Sequence, residues 1–506
     1  MTQNKINKLK KIAKKIDLLK SSGKKIILCH GVFDLLHVGH IKYFEEAKSF
    51  GDILVVTLTP DNFVNKGPGR PAFNEKLRLE AIAALEVVDF VALNEWPTAV
   101  ETIKTIKPNI YVKGPDYKNS KEDITGNIEL EKDAIESVNG ILNFTSDITF
   151  SSSKLINQRI PHLSDHQKEF IKKLKEKYSF QDIVSYVEKL SKLKVLMIGE
   201  IIIDEYVFCV SIGKSGKEPI LVNQKIKSEK YAGGILSVAN HVSNFCKDGK
   251  IVSFLGDRNS EINFINENLS KNIKLDSIQK HNSPTILKTR FIDSYTNNKM
   301  VGIYDLNDDI MSLDEEKKLN KILVKNLKDY DVAIVVDYGH GLITPKIVRT
   351  LEEHSKYLAV NTQLNSFNVG YHTISKYKKA DYVCVHEGEL RHDYRNRHDS
   401  VEHLTMKLAD RIKSEVITIT RGNAGSFVFK NGESLMCPAY AHKVVDRVGA
   451  GDTLLSITAL CFALGLPKDI TLFLGNLAAA ETVASTGTGN RLSKVNLVKT
   501  VQTLFK

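Results

Sequence analysis

Short β-branched runs alternate with helix-like stretches in this chain, and they do so in two blocks. In the first, "KKIILCH", "DILVVTL", "VDFVALN" and "NIYVKG" are separated by amphipathic segments. The second opens with "KVLMIGEIIID" at 194–204 and continues through "KIVSFLG", "VAIVVDYG", "YLAVN", "DYVCV", "VITIT" and "SFVFK". The strongly apolar stretch "GAGDTLLSITALCFALG" follows. Strands joined through helices build parallel sheets covered on both faces, so both blocks are read as α/β. No internal repeat relates them, and 506 residues exceed one ordinary core, so two different folds are expected in tandem. The expected layout is an N-terminal helix over 1–23, a first domain over 24–160, a helical linker over 161–192 and a second domain over 193–506. Apolar residues at Ile6, Leu9, Ile12, Ile16 and Leu19 give the N-terminal helix its period.

Composition narrows the setting. With 42% apolar and 26% charged residues the chain reads as globular, and no apolar run is long enough to span a bilayer. The lysine-rich N-terminus has no apolar segment or cleavage site, so a secretory signal is not expected. Cys29, Cys209, Cys246, Cys384, Cys437 and Cys461 are scattered without metal-type spacing, which points to buried thiols in a reducing cytoplasm. Much of the net charge of +11 falls in the N-terminal helix and in "HQKEFIKKLKEKYSF" (166–180), where lysines and glutamates alternate as on solvated faces. No nucleic-acid signature accompanies it, so the basic balance is assigned to small polyanions such as nucleotides and sugar phosphates.

Within "CHGVFDLLHVGHIKYF", His37 and His40 stand where a strand hands over to a helix. In a parallel sheet that is the ligand-binding address, and a helix N-terminus there favours a phosphate. Two imidazoles can donate hydrogen bonds to phosphoryl oxygens as charge develops, and Gly39 keeps the backbone close. A bare HxxH would more often be incidental. The flanking residues decide the matter.

"GVFDLLHVGH" resembles the signature of the nucleotidyltransferase superfamily of glycerol-phosphate cytidylyltransferases and heptose-nucleotide synthases. "NKGPGRPAFNEKLRLEAIAALEVVDFV" (65–91), "IKPNIYVKGPDYKNSKEDITG" (106–126) and "TFSSSKLI" (149–156) are similar to the heptose type. The resemblance implies a Rossmann-like fold and attack by a sugar-phosphate oxygen on the α-phosphorus of ATP, or alternatively CTP, with loss of pyrophosphate. It implies that His37 and His40 are catalytic, that Phe33, Lys66, Arg70 and Lys113 line the nucleotide, and that Ser151 and Ser152 cradle its phosphates. For the lysines, solvated surface charge stands beside that role. For Asp34 two roles stay open, a structural one and contact with metal or ribose.

"VVDRVGAGDTLLS" (444–456), preceded by "TITRGNAGSFVF" and followed by "STGTGN", resembles the ribokinase-like, PfkB-type carbohydrate kinases. That likeness implies a ribokinase-like α/β fold in which Gly449, Ala450 and Gly451 form an amide nest for the transferred phosphoryl group and Asp452 acts as general base. It places Arg421 and Gly422 at the nucleotide, Asp204, Gly233, Gly234 and Asn240 at the sugar, and Glu389 at Mg²⁺. The block departs from the heptose-kinase pattern at "VNTQLNSF" (360–367), at His386 in place of an amide, and at Arg447 and Val448 before the glycine turn. Asp337, in "VVDYGHG", matches the family's DY-type segment. The domain order is also the reverse of the known bifunctional heptose enzymes. The expectation is a cytoplasmic, homodimeric, Mg²⁺- and ATP-dependent enzyme that phosphorylates a sugar and makes a nucleotide-activated sugar for surface polysaccharide. The alternative is a transferase carrying a regulatory kinase-like lobe.

Overall fold

The computed structural model describes residues 4–67, 69–117, 127–146, 163–484 and 491–506. The chain falls into two compact units, one of residues 1–164 with 498–506 and the other of residues 165–497.

In the first unit the strands are β1 (Ile26–Gly31), β2 (Ile53–Leu58), β3 (Phe90–Leu93), β4 (Ile110–Lys113) and β5 (Ile141–Phe144), and the helices are α1 (Leu9–Ser21), α2 (Val38–Ser49), α3 (Glu75–Ala83), α4 (Val100–Ile106) and α5 (Asn127–Ser137). The strands form one parallel sheet in the order β3-β2-β1-β4-β5. Successive β1 residues serve opposite cores. Ile27 and Cys29 join Phe44 and Leu54, while Ile26 and Leu28 join the fully buried α1 residues Ile12 and Ile16. Both faces of the sheet are therefore dry, which is why these strands read as unbroken apolar runs. Helix α1 starts at Leu9 rather than at Ile6. Residues Lys5–Asn7 instead run along the open side of β3, exchanging backbone hydrogen bonds with Val91, because an edge strand offers unpaired groups. The chain leaves β1 for β2 and β3 on one side and returns to β4 and β5 on the other. In open parallel sheets such a reversal is where ligands bind, and here it falls at the carboxyl end of β1.

The second unit opens with α6 (Asp165–Lys177) and α7 (Phe180–Leu190), the residues read as a linker. Its main sheet has nine strands in the order β10-β9-β6-β13-β14-β15-β16-β17-β18. These are β6 (Lys194–Gly199), β9 (Asp248–Gly256), β10 (Ile273–Lys280), β13 (Val332–Asp337), β14 (Leu358–Thr362), β15 (Tyr382–His386), β16 (Val416–Thr420), β17 (Ser426–Lys430) and β18 (Glu433–Cys437). All run in one direction except β17, which pairs antiparallel with both β16 and β18. A smaller sheet in the order β12-β11-β7-β8 is built from β7 (Ile201–Lys214), β8 (Leu221–Gly234), β11 (Ile286–Asp293) and β12 (Lys299–Asp305). The helices are α8 (Ile235–Ser243), α9 (Ile262–Asn268), α10 (Leu313–Leu327), α11 (Pro345–His354), α12 (Glu387–Tyr394), α13 (Val401–Ile412), α14 (Ala450–Ala463) and α15 (Lys468–Val483). Helix α14 is buried along nearly its whole length, as its all-round apolar sequence requires. All six cysteines are buried thiols.

Candidate active sites

In the first unit, β1 ends at Gly31 and His37 is the N-cap residue of α2. Three rings gather here. His37 and His40 stack with centroids 4.0 Å apart and 23° between planes, as a three-residue helical spacing allows, and Phe33 meets His40 edge-on at 5.5 Å. Phe33 adopts a left-handed φ of 46° and folds back over Gly31, where a Cβ would lie 2.9 Å from its ring. Glycine at 31 is thus a packing requirement of the site. Burial, with His37 and Lys66 adding to it, pushes His40 down to about 3, and burial also lowers His37. Both imidazoles are neutral at neutral pH, so each offers one N–H donor rather than a full charge.

The cations come from the loop before α3. Lys66, half-buried, is lowered to about 8 by burial and by neighbouring Arg70. Arg70 Nη1 lies 2.5 Å from Asp34 Oδ2, while Asp34 Oδ1 accepts the Ala72 and Phe73 amides at 2.7 and 3.1 Å. Asp34 therefore fastens the loop to the crevice, which is the structural one of its two open roles. Lys113 pairs with Glu131 at 2.8 Å, both side chains nearly buried, so its charge is already compensated. His30 is a core histidine, with ring nitrogens 2.9 and 3.3 Å from the Thr57 and Thr59 hydroxyls. Ser151 and Ser152 lie outside the described residues, as does "STGTGN" (485–490).

In the second unit, Asp452 lies in the first turn of α14, whose N-cap Gly449 takes a left-handed φ of 84° and is followed by Ala450 and Gly451. Its carboxylate accepts the Tyr338 hydroxyl at 3.1 Å. Burial raises Asp452 to about 7, with Tyr338 and Lys288 opposing and Asp204 adding. Asp204 is gripped by Arg290, and a Cβ on Gly233 would lie 2.2 Å from Asp204 Oδ2. Lys288 and Asp204 are register partners on β11 and β7, so Asp204, Lys288 and Arg290 share one face of the small sheet. Gly234 turns into α8 at φ 57°. Asn240 is committed elsewhere: its amide donates to Asn268 O at 2.9 Å and accepts from Ser270 Oγ at 3.3 Å.

Glu389 is raised to about 7 by burial, with Asp452 adding, although it accepts the His386 and Leu364 amides at 2.7 and 3.2 Å. Each of its oxygens keeps acceptor capacity, which fits a hard cation held mainly by phosphates. His386 does the capping job of an amide, its Nδ1 accepting Gly388 N–H at 3.0 Å. Arg421 Nε donates to Glu387 at 2.7 Å, and Gly422 next to it has φ 55°. The "VNTQLNSF" segment is scaffolding. Asn361 donates to Cys384 O at 2.7 Å, Asn365 to Tyr338 O at 2.7 Å, and the Gln363 amide to Asp337 O at 3.0 Å. Asp337 itself is tied to Lys376 and to Tyr377 Oη.

The structure thus gathers Phe33, His37, His40, Lys66 and Arg70 in one unit, and Asp204, Gly233, Glu389, Gly449 and Asp452 in the other. Sequence reasoning missed Tyr338, His340, Lys288 and Arg290. The signal for the cations was there, two of them at alternate positions inside the apolar strand "ILKTRFID". His340 completes the group, its ring 3.2 Å from Lys288 Nζ and 2.6 Å from Asp308.

Residues 28–159 match the cytidylyltransferase-like family, and residues 192–495 match the pfkB family carbohydrate kinases. The chain is similar to proteins named bifunctional protein HldE. That of Geobacter metallireducens is 39% identical over 158 residues, 31% of each chain. That of Sulfurimonas denitrificans is 52% identical over 101 residues, 20% of this chain and 21% of the relative. The chain spans about a third or less of the length of these curated relatives. The phosphofructokinase-2 of Escherichia coli, solved with potassium, aligns with a TM-score of 0.50 at 12% identity over 62% of this chain and 100% of its own. Solved with substrates and products, it aligns with a TM-score of 0.50 at 13% identity over 61% of this chain and 98% of its own. At that identity the likeness speaks for the fold. Among the described residues no helix is long and apolar enough to cross a membrane.

Proposed function

Because this chain belongs to the pfkB family of carbohydrate kinases and carries a cytidylyltransferase-like domain ahead of the kinase, we propose that it is a bifunctional enzyme making a nucleotide-activated, ADP-heptose-like sugar. The second unit phosphorylates a sugar with ATP, and the first transfers a nucleotidyl group from ATP, or alternatively CTP, to a sugar phosphate. The observation that supports this reading is one chain holding two helix starts with chemistry-bearing side chains, the stacked His37–His40 pair at α2 and buried Asp452 at α14. The enzyme works in the cytoplasm on small molecules, as a homodimer.

In the transferase, His37 and His40 donate N–H groups to the α-phosphoryl oxygens while Lys66 and Arg70 balance triphosphate charge. Phe33 walls the crevice. In the kinase, Asp452 takes the proton of the sugar hydroxyl as that oxygen attacks the γ-phosphorus and the bond to the β–γ bridging oxygen breaks, releasing ADP, while the Gly449–Gly451 amides receive the charge of the transferred group. Glu389 would hold Mg²⁺, which supplies neutralisation of phosphate charge when bound. The face bearing Asp204, Lys288 and Arg290 receives the sugar.

The test is pyrophosphate release from ATP, CTP, GTP or UTP with Mg²⁺ against heptose, hexose and polyol phosphates, run beside ADP production with the free sugars. His40→Ala should remove pyrophosphate release and spare phosphorylation, and Asp452→Asn should do the reverse. Loss of both activities in either folded variant would refute independent sites.

A further inference from the structure

We propose that Glu200 is a positioning residue of the kinase centre, holding the Tyr338 hydroxyl on Asp452 through the backbone of residues 338–342. The inference rests on the kinase reading above. Glu200 is 0% exposed and directly follows β6. Its Oε2 accepts the Tyr338 amide at 3.1 Å, and its Oε1 accepts the His340 and Leu342 amides at 2.9 and 3.4 Å. From the other side, Asn365 and Asn368 donate to the Tyr338 carbonyl at 2.7 and 2.9 Å. The backbone of Tyr338 is thus gripped at both its N–H and its C=O. What it carries is a hydroxyl bound to Asp452 Oδ2 and, two residues on, the His340 ring set between Asp308 and Lys288.

A donor fixed on Oδ2 leaves Oδ1 of Asp452 to face a sugar hydroxyl, so the clamp selects which oxygen acts as base. A fully buried carboxylate is a costly way to satisfy three amides. Burial, with Asp337 adding, indeed raises Glu200 to about 7. That cost calls for a geometric reason. The charged groups facing Glu200 are Asp337 on β13, Lys280 on β10 and Lys288 on β11. Those facing Asp452 are Asp204, Lys288 and Glu389.

The experiment measures the pH dependence of kcat/KM for phosphorylation by Glu200→Gln, Tyr338→Phe and the double variant of the full chain. Amide hydrogen exchange of a peptide spanning 337–343 is followed in parallel. Removing a donor to the ionised carboxylate raises the base, so Tyr338→Phe should move the acid limb up by about one pH unit and cut kcat/KM about tenfold, with KM for ATP unchanged. Glu200→Gln should give the same shift together with faster exchange in the peptide, and the double variant should be no worse than the poorer single. Should Glu200→Gln fail to fold, Asn365→Ala loosens the same peptide from the opposite side and should shift the same limb. Additive losses, or an unmoved acid limb in Glu200→Gln or Asn365→Ala, would overturn the proposal and leave the kinase reading standing. A wild-type chain that phosphorylates no sugar overturns both, whatever the exchange result.

Discussion

Replacing Asp34 by alanine tests how the transferase loop is held. The Arg70 and Asp34 side chains are 2% and 0% exposed and meet at 2.5 Å, so this is a buried pair rather than a surface contact worth at most about 1 kcal/mol. Removing one member leaves a guanidinium desolvated and uncompensated, which typically costs about 3–5 kcal/mol. The Ala72 and Phe73 amides lose their acceptor as well, at a smaller cost because a loop can admit water. We therefore expect the first unit to lose about 3–5 kcal/mol, or about 6–20 °C in its transition midpoint. Scanning calorimetry of the full chain reads this, with the second unit as internal control. The double variant Asp34→Ala, Arg70→Met removes the charge together with the need for a partner and should regain most of the stability. It should not regain pyrophosphate release, since Arg70 is assigned to the triphosphate. An Asp34→Ala chain within about 0.5 kcal/mol of wild type would refute the fastening role. Full release by the double variant would refute the phosphate role of Arg70.

His40→Ala should slow pyrophosphate release by about 100- to 1,000-fold, the usual cost of one lost transition-state donor, with ADP production unchanged in the same preparation. Asp452 must be ionised to accept a proton, and burial raises it to about 7, so phosphorylation should fall about tenfold per pH unit below that value and hold above it. His386→Asn should keep the cap on α12 and retain activity, whereas His386→Ala should lose about 1 kcal/mol of local stability and raise hydrogen exchange around Glu389. Arg290→Met frees Asp204 and should raise KM for the sugar while leaving KM for ATP alone, a split visible in two substrate titrations.

Both folds were legible because a parallel α/β sheet writes itself into sequence as repeated apolar runs, each followed by a helix. The residues at helix starts were legible for the same reason, since His37, His40, Gly449 and Asp452 occupy fixed offsets from a strand end or a glycine turn. What the sequence hid was pairing across the fold. Nothing along the chain tells that Lys113 meets Glu131, that Arg70 meets Asp34, or that the Asn240 amide is taken by Asn268 and Ser270. Those partners lie on different elements, and charge pairing has no period. Ile6 failed for a local reason. Its spacing suits a helix, but the unpaired edge of β3 competes for the same backbone and wins.

The departures of the kinase lobe from its family pattern read differently once their hydrogen bonds are known. If the lobe had become a passive module, the replaced residues should have lost their connections to the centre. Instead Asn365, with Asn368 just beyond the changed segment, holds the backbone that carries Tyr338, the Leu364 amide holds Glu389, and His386 supplies the cap acceptor through Nδ1. With Nδ1 occupied as an acceptor, the neutral ring carries its proton on Nε2. A side-chain amide offers two N–H donors and an oxygen with two lone pairs, so with Nδ1 taken by the cap the imidazole keeps one donor, Nε2–H, and no spare acceptor. The changed shell still holds the Tyr338 contact of Asp452 and the backbone contacts of Glu389. A change confined to donors and acceptors around an intact scaffold is where altered specificity rather than lost catalysis would be written. This is the physical ground for reading the lobe as a working kinase with its own substrate.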